Sequence, residues 1–148
     1  MAANSNPRFT KIGKISSVLV TAANTSSQGG GTVATDIFLA FTADATNGSF
    51  VERVRLIPTA TAATTTTATV ARVFVSSVAS GATTNANTYL VAEVTLPAIA
   101  ADNASTAVQP FDVPLGFALP ASGTILITNH AAPAANTAWR AVAIGGDY

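Results

Sequence analysis

Apolar and polar positions alternate with a period of two along almost the whole chain. That is the pattern of strands that bury one face and wet the other. From Thr35 to Thr42, Ile37, Leu39 and Phe41 fall on one face. From Ser49 to Pro58, Phe50, Val54 and Leu56 alternate with Arg53 and Arg55, and Glu52 points away from the two arginines. From Thr69 to Val78, Val70, Phe74 and Val78 oppose Ala71, Val73 and Val75. Between Ile12 and Ala22 both parities are apolar: Ile12, Val18 and Val20 share one, Ile15 and Leu19 the other. Tyr89 to Leu96, Ala107 to Leu115, Thr124 to Asn129 and Thr137 to Ile144 complete the set. Each segment is short and rich in β-branched or aromatic residues, which predicts about eight strands.

The separators carry turn chemistry. Asn24 to Gly31, Asp44 to Gly48, Ser80 to Asn87 and Pro120 to Gly123 are clusters of Gly, Asn, Ser and Pro. The Ala/Thr tract from Thr59 to Thr69 is a hairpin tip or a loop. Ile99 to Ala107 is a short helix or a loop, because Ala favours helix but Asp102, Asn103 and Ser105 interrupt it. The expected fold is all-β: one antiparallel β-sandwich, with an eight-stranded jelly roll first among the options. An immunoglobulin-like sandwich is the other candidate. The domain runs over residues 12–148, and residues 1–11 form a flexible or partner-binding arm.

Composition narrows the function. The chain has 148 residues, no cysteine and formal net charge zero, and charged residues make up 9% of it. The average globular domain carries about 25%. Without cysteine there are no disulfides, thiolate nucleophiles or cysteine-based zinc sites. A balanced, sparsely charged chain has no electrostatic footprint for nucleic acid or an anionic membrane. No window is apolar over the 18 or more residues of a membrane helix, and the N-terminus lacks the apolar stretch of a secretory signal. Synthesis in a cytoplasm is the expectation. A nearly uncharged surface does little to oppose association, which points toward assembly.

Catalytic equipment is not legible. His130 is the only histidine, and a general base needs an orienting carboxylate and a nucleophile. Asp112 and Asp147 are partners for it by composition alone, without a supporting motif. The seven carboxylates are scattered singly, and Gly29–Gly31 lacks the Lys-Ser/Thr sequel of a phosphate loop. No enzyme activity, cofactor or metal is expected. The candidate interface residues are Arg8, Lys11 and Lys14 in the arm region, Arg53 and Arg55 on one strand, and Trp139 with Arg140 near the C-terminus. Arginine and tryptophan are enriched at interfaces. Arg53, Arg55 and Arg72 also fit a solvated strand face with cross-strand pairs, and Trp139 also fits the core.

Several segments together resemble a family of tailed-bacteriophage virion proteins, the head decoration or cement proteins. They are NPRFTKIGKISSVLVTAANT at the start, FVERVRLIP, TVARVFV, LPASGTILIT, and AVAIGGDY at the end. The resemblance spans most of the chain but carries no site motif. It implies a jelly-roll or similar sandwich that sits on the outer capsid as a homotrimer and braces the major capsid protein. The expected function is therefore capsid stabilisation at the virion surface. The alternative is a receptor- or carbohydrate-binding module of a phage tail fibre or bacterial surface protein, for which Trp139, Tyr89 and Tyr148 are the available aromatic platforms.

Overall fold

The computed structural model describes residues 10–101 and 108–148. Eight strands of five residues or more form its frame: β1 (Ile12–Val20), β2 (Phe38–Thr42), β3 (Ser49–Ala60), β4 (Thr69–Ser76), β5 (Thr88–Leu96), β6 (Phe111–Leu119), β7 (Thr124–Asn129) and β8 (Thr137–Asp147). Two-residue strands pair Gly31–Thr32 with Ala82–Thr83, and Thr64–Thr65 with Ala100–Ala101. No helix occurs among the described residues. The chain is an antiparallel β-sandwich of two four-stranded sheets, ordered β1-β8-β3-β6 and β2-β7-β4-β5.

The strand pairs are nested. β1 pairs with β8, β2 with β7, β3 with β6 and β4 with β5. Each strand thus meets the one equally far from the opposite end of the series. The core lies between the sheets. Val51, Val54, Leu56, Trp139, Ala141 and Ala143 come from the first sheet, against Ala71, Val73, Leu96, Ile125 and Ile127 from the second. Phe111 meets Trp139 edge-on, with centroids 5.9 Å apart and planes at 72°, a favoured aromatic geometry.

Bulges decide details that simple alternation cannot. In β3 the ladder to β8 shifts between Arg53 and Val51, leaving Glu52 over. A bulge residue resets the two-residue period. Val51 therefore enters the core and Phe50 lies half-buried on the other side, overturning the expected grouping of Phe50 with Val54 and Leu56. Glu52 does not point away from the arginines: it is exposed, and its carboxylate accepts a 2.7 Å bond from Arg53 Nη1. The β2–β7 ladder shifts in the same way, skipping Ala40. Phe41 joins the main core, while Ile37 and Leu39 pack on the far face of that sheet, so the three do not share a face. The strand expected at Ala107–Leu115 instead runs from Phe111 to Leu119. Pro114 is tolerated because β6 is an edge strand, and Gly116, at φ +66, lies in the bulge that carries the strand onward.

The Ala/Thr tract divides. Thr59 and Ala60 extend β3, and Thr64–Thr65 pair with Ala100–Ala101. The rest of the expected helix-or-loop, 102–107, lies outside the described residues, as do residues 1–9 of the arm. At Lys11 the backbone N–H already donates to the Asp147 carbonyl at 2.8 Å, so β8 guides the chain into β1. In the turn after β2, the Asp44 carboxylate accepts the N–H groups of Thr46 (3.0 Å) and Asn47 (2.7 Å). Those two bonds, Asn47 first, hold its carboxyl below the ordinary 3.8.

The two outer faces are treated differently. The segment from Asn24 to Ile37 folds over the outside of the second sheet, where Ile37, Phe74 and Leu126 form a second buried cluster with Val33 and Leu39 against it. Asn24 braces this segment by donating to the Gly30 carbonyl (3.0 Å) and to Asp36 (3.2 Å), and Asp36 accepts the Thr32 N–H at 2.6 Å. Arg72 is buried beneath, bonded to Glu93 at 2.7 Å and to the Asn24 carbonyl at 3.5 Å. The outer face of the first sheet has no such cover among the described residues.

Candidate interaction surface

Cross-strand register assembles the open face of the first sheet. Ile15 stands opposite Ile144, Ser17 opposite Val142, and Leu19 opposite Arg140. The next rung continues the rows: Ile144 faces Arg53, Val142 faces Arg55, and Arg140 faces Ile57. On β6, Asp112 lies beside Arg55 and Pro114 beside Arg53. The result is a band of half-exposed aliphatic side chains interleaved with three arginines. Ile15 is the most open, at 72% exposed.

The arginines are in different states. Arg55 makes a two-pronged pair with Asp112, Nε to Oδ1 at 2.7 Å and Nη2 to Oδ2 at 2.8 Å. The hydrogen bond from Arg55 holds the Asp112 carboxyl below its ordinary 3.8, and the carboxylate in turn raises the guanidinium. Arg53 binds Glu52, while its Nε is buried without a partner among the described residues. Arg140 has no hydrogen bond or ion pair among the described residues. One of the three cations is therefore already neutralised in geometry, one is partly served, and one is uncommitted.

The Asp112–Arg55 pair gives a prediction with a definite sign. A carboxyl whose folded pKa is depressed stabilises the fold above its unfolded value, and that contribution disappears as pH falls through the folded value. Asp112→Asn is expected to lower the midpoint of thermal unfolding slightly at neutral pH, because both groups are well exposed. The gap to the wild type is expected to close once the pH drops below 3.8 and through the lowered folded value. Thermal scans of both proteins across acid pH check this. A gap that is constant with pH would assign the effect to shape, not charge.

Of the other residues singled out in the sequence, Arg8 lies outside the described residues. Lys11 is exposed at the entry to β1. Lys14 is turned toward the cleft between the sheets, where it pairs with Asp147 at 3.2 Å and lies 5.1 Å from the Phe41 ring centre. Trp139 has to be corrected. It is 1% exposed on the inner face, paired in register with Val20 and Pro58, and cannot contribute to a surface of the folded chain. Its parity opposes that of Arg140, so adjacent residues serve opposite sides of the sheet. Arg72 belongs to the second sheet and does not join Arg53 and Arg55.

His130 is exposed, and its Nδ1 lies 3.4 Å from Arg72 Nη1. The two carboxylates considered for it are engaged elsewhere, Asp112 with Arg55 and Asp147 with Lys14 and the Ser49 hydroxyl. No group of three or more His, Asp or Glu suited to a metal ion occurs among the described residues. Sequence reasoning named the charged members of the open face but missed its aliphatic members. The legible signal was the double apolar parity of β1, where Ile15 and Leu19 oppose Val18 and Val20.

No protein-family model, curated protein or solved structure matches this chain.

Proposed function

We propose that this chain is a jelly-roll structural protein that binds the outer surface of a bacteriophage capsid as a homotrimer and stabilises it, its partner being the major capsid protein. The observation that carries the reading is the open outer face of the first sheet, aliphatic and arginine-bearing, on a sandwich whose other face is covered by its own chain. Such a face suits a broad contact with another protein, because aliphatic side chains gain free energy on leaving water and arginine forms planar bonds to carboxylates. The nested strand pairing supports the jelly-roll assignment, since a wound double ribbon of eight strands pairs its first strand with its last and its fourth with its fifth. The sequence resemblance supplies the capsid. The carbohydrate-binding alternative is weakened by the burial of Trp139, which withdraws the largest ring from any sugar platform.

The test is quantification of this chain against the major capsid protein in purified particles, followed by heating of particles with and without it. Hundreds of copies, and particles that open at a lower temperature after losing the chain, are the expected results. A few to some tens of copies would move the protein to a tail or fibre. Unchanged heat resistance would remove the stabilising role, and absence from the particle would end the virion reading.

A further inference from the structure

The six large apolar side chains that stand exposed among the described residues lie on two strands only. Ile12 (66%), Ile15 (72%) and Leu19 (38%) are on β1; Tyr89 (58%), Leu90 (39%) and Val91 (43%) are on β5. Both are edge strands, and they end different sheets. Edge strands with free backbone groups and apolar side chains are templates for association unless something blunts them. The other two edges are blunted: β2 has five residues, and β6 carries Pro114. β1 and β5 each have nine residues and no proline, about 30 Å of edge apiece, and the one shift in the β5 ladder leaves Val91 over, itself among the exposed side chains.

The two edges complement one another. Beside Leu19 stands Arg140, the uncommitted cation. On β5 the only charged residue is Glu93, whose side chain is 46% exposed and uses one carboxylate oxygen to hold Arg72. Next to Leu19 and Arg140 lies a hollow of about 350 Å³, bounded also by Thr59 and Ala138. Tyr89 is the one aromatic among the six exposed side chains, a type of residue that anchors interfaces when seated in a pocket. Within one molecule the two edges cannot meet. β1 lies along β2, where the Ser16 hydroxyl bonds the Ala40 carbonyl, while β5 sits at the far end of the second sheet beyond β7 and β4.

We infer that copies of this chain associate head to tail, the β1 edge of one against the β5 edge of the next. The contact joins two different surfaces, so it propagates: it closes into a ring or extends as a filament, and does not stop at a two-fold dimer. It goes beyond the capsid reading by assigning the self-contact to particular strands, and it needs no capsid.

Light scattering coupled to size exclusion tests it on three samples of the full chain. The wild type is expected to exceed the monomer mass of 14.8 kDa. Ile15→Lys and Tyr89→Lys, both at exposed positions that leave the fold intact by thermal scan, are each expected to run at 14.8 kDa. Mixed one to one, the two variants are expected to form a species of twice 14.8 kDa and nothing larger, because each retains the surface the other lost. A monomeric wild type, variants that keep the wild-type mass, or a mixture that stays monomeric would each overturn the inference. Copies that associate as stated but fail to bind capsids would leave it standing and remove the capsid reading.

Discussion

Trp139→Ala is expected to lower the unfolding free energy by about 3–5 kcal/mol, the range for truncating a buried tryptophan or phenylalanine. For a domain of this length that is a fall of roughly 6–20 °C in the thermal midpoint. The size follows from position. Trp139 heads the fully buried side chains by volume, is 1% exposed, and stands between Val20 and Pro58 with Phe111 against its edge. Removing it leaves a void that two paired sheets cannot collapse without disturbing their ladders. Its indole Nε1 has no hydrogen-bond partner among the described residues, an arrangement that itself costs stability. Trp139→Phe therefore loses volume but also sheds the unpaired donor, and is expected to cost distinctly less than Trp139→Ala. Since the chain has a single tryptophan, its fluorescence reports this site alone: blue-shifted emission when folded, shifting to the red in step with the loss of β-sheet signal on heating. Emission typical of exposed tryptophan in the folded protein, or an alanine variant as stable as the wild type, would contradict the core placement.

Gly48→Ala comes next in expected effect. Gly48 closes the turn between β2 and β3 at φ +77, where an L-residue loses roughly 1–2 kcal/mol on conformational grounds alone. The space is also taken. A Cβ there would sit inside contact distance of the Leu119 carbonyl oxygen, with the Pro120 backbone close behind. Those atoms are backbone at the end of β6, so the turn after β6 has to shift, and with it the Gly123 carbonyl that accepts the Ala43 N–H at 2.8 Å. The expected result is a loss above the conformational figure together with lowered amide protection at Ala43 and at Tyr148, whose N–H bonds the Gly48 carbonyl. Gly81→Ala is the matched control, because Gly81 has a similar φ of +78 but no described residue within reach of an added Cβ. Equal losses at the two positions would show that conformation alone matters. A larger loss at Gly48 would isolate the close approach.

The alternation of apolar and polar residues was enough to locate eight strands and the turns between them, because a strand in a two-layer protein has to segregate its side chains at a period of two. Composition was enough to remove thiol chemistry, since the chain has no cysteine. Arg53 and Arg55 were legible as sharing a strand face, because charged side chains at alternating strand positions stay outside; that Arg140 joins them on one surface came from the pairing of β8 with β3. What the sequence could not decide were the faces. One extra residue at Glu52 sends Val51 inward and Phe50 outward, and a skipped Ala40 sends Phe41 to the core while Leu39 turns away. A bulge changes parity without leaving a compositional mark, so only the paired ladders reveal it. Trp139 fits both an interface beside Arg140 and the core by sequence, and adjacency along a strand decides for the core by placing the two on opposite sides. The covering of one sheet by the segment from Asn24 to Ile37, and the bareness of the other, depended on long-range contacts such as Ile37 on Phe74 and Leu126. The same holds for the two apolar edges. Which strands end a sheet is a property of pairing across the whole chain, and no local pattern around Ile15 or Tyr89 states it.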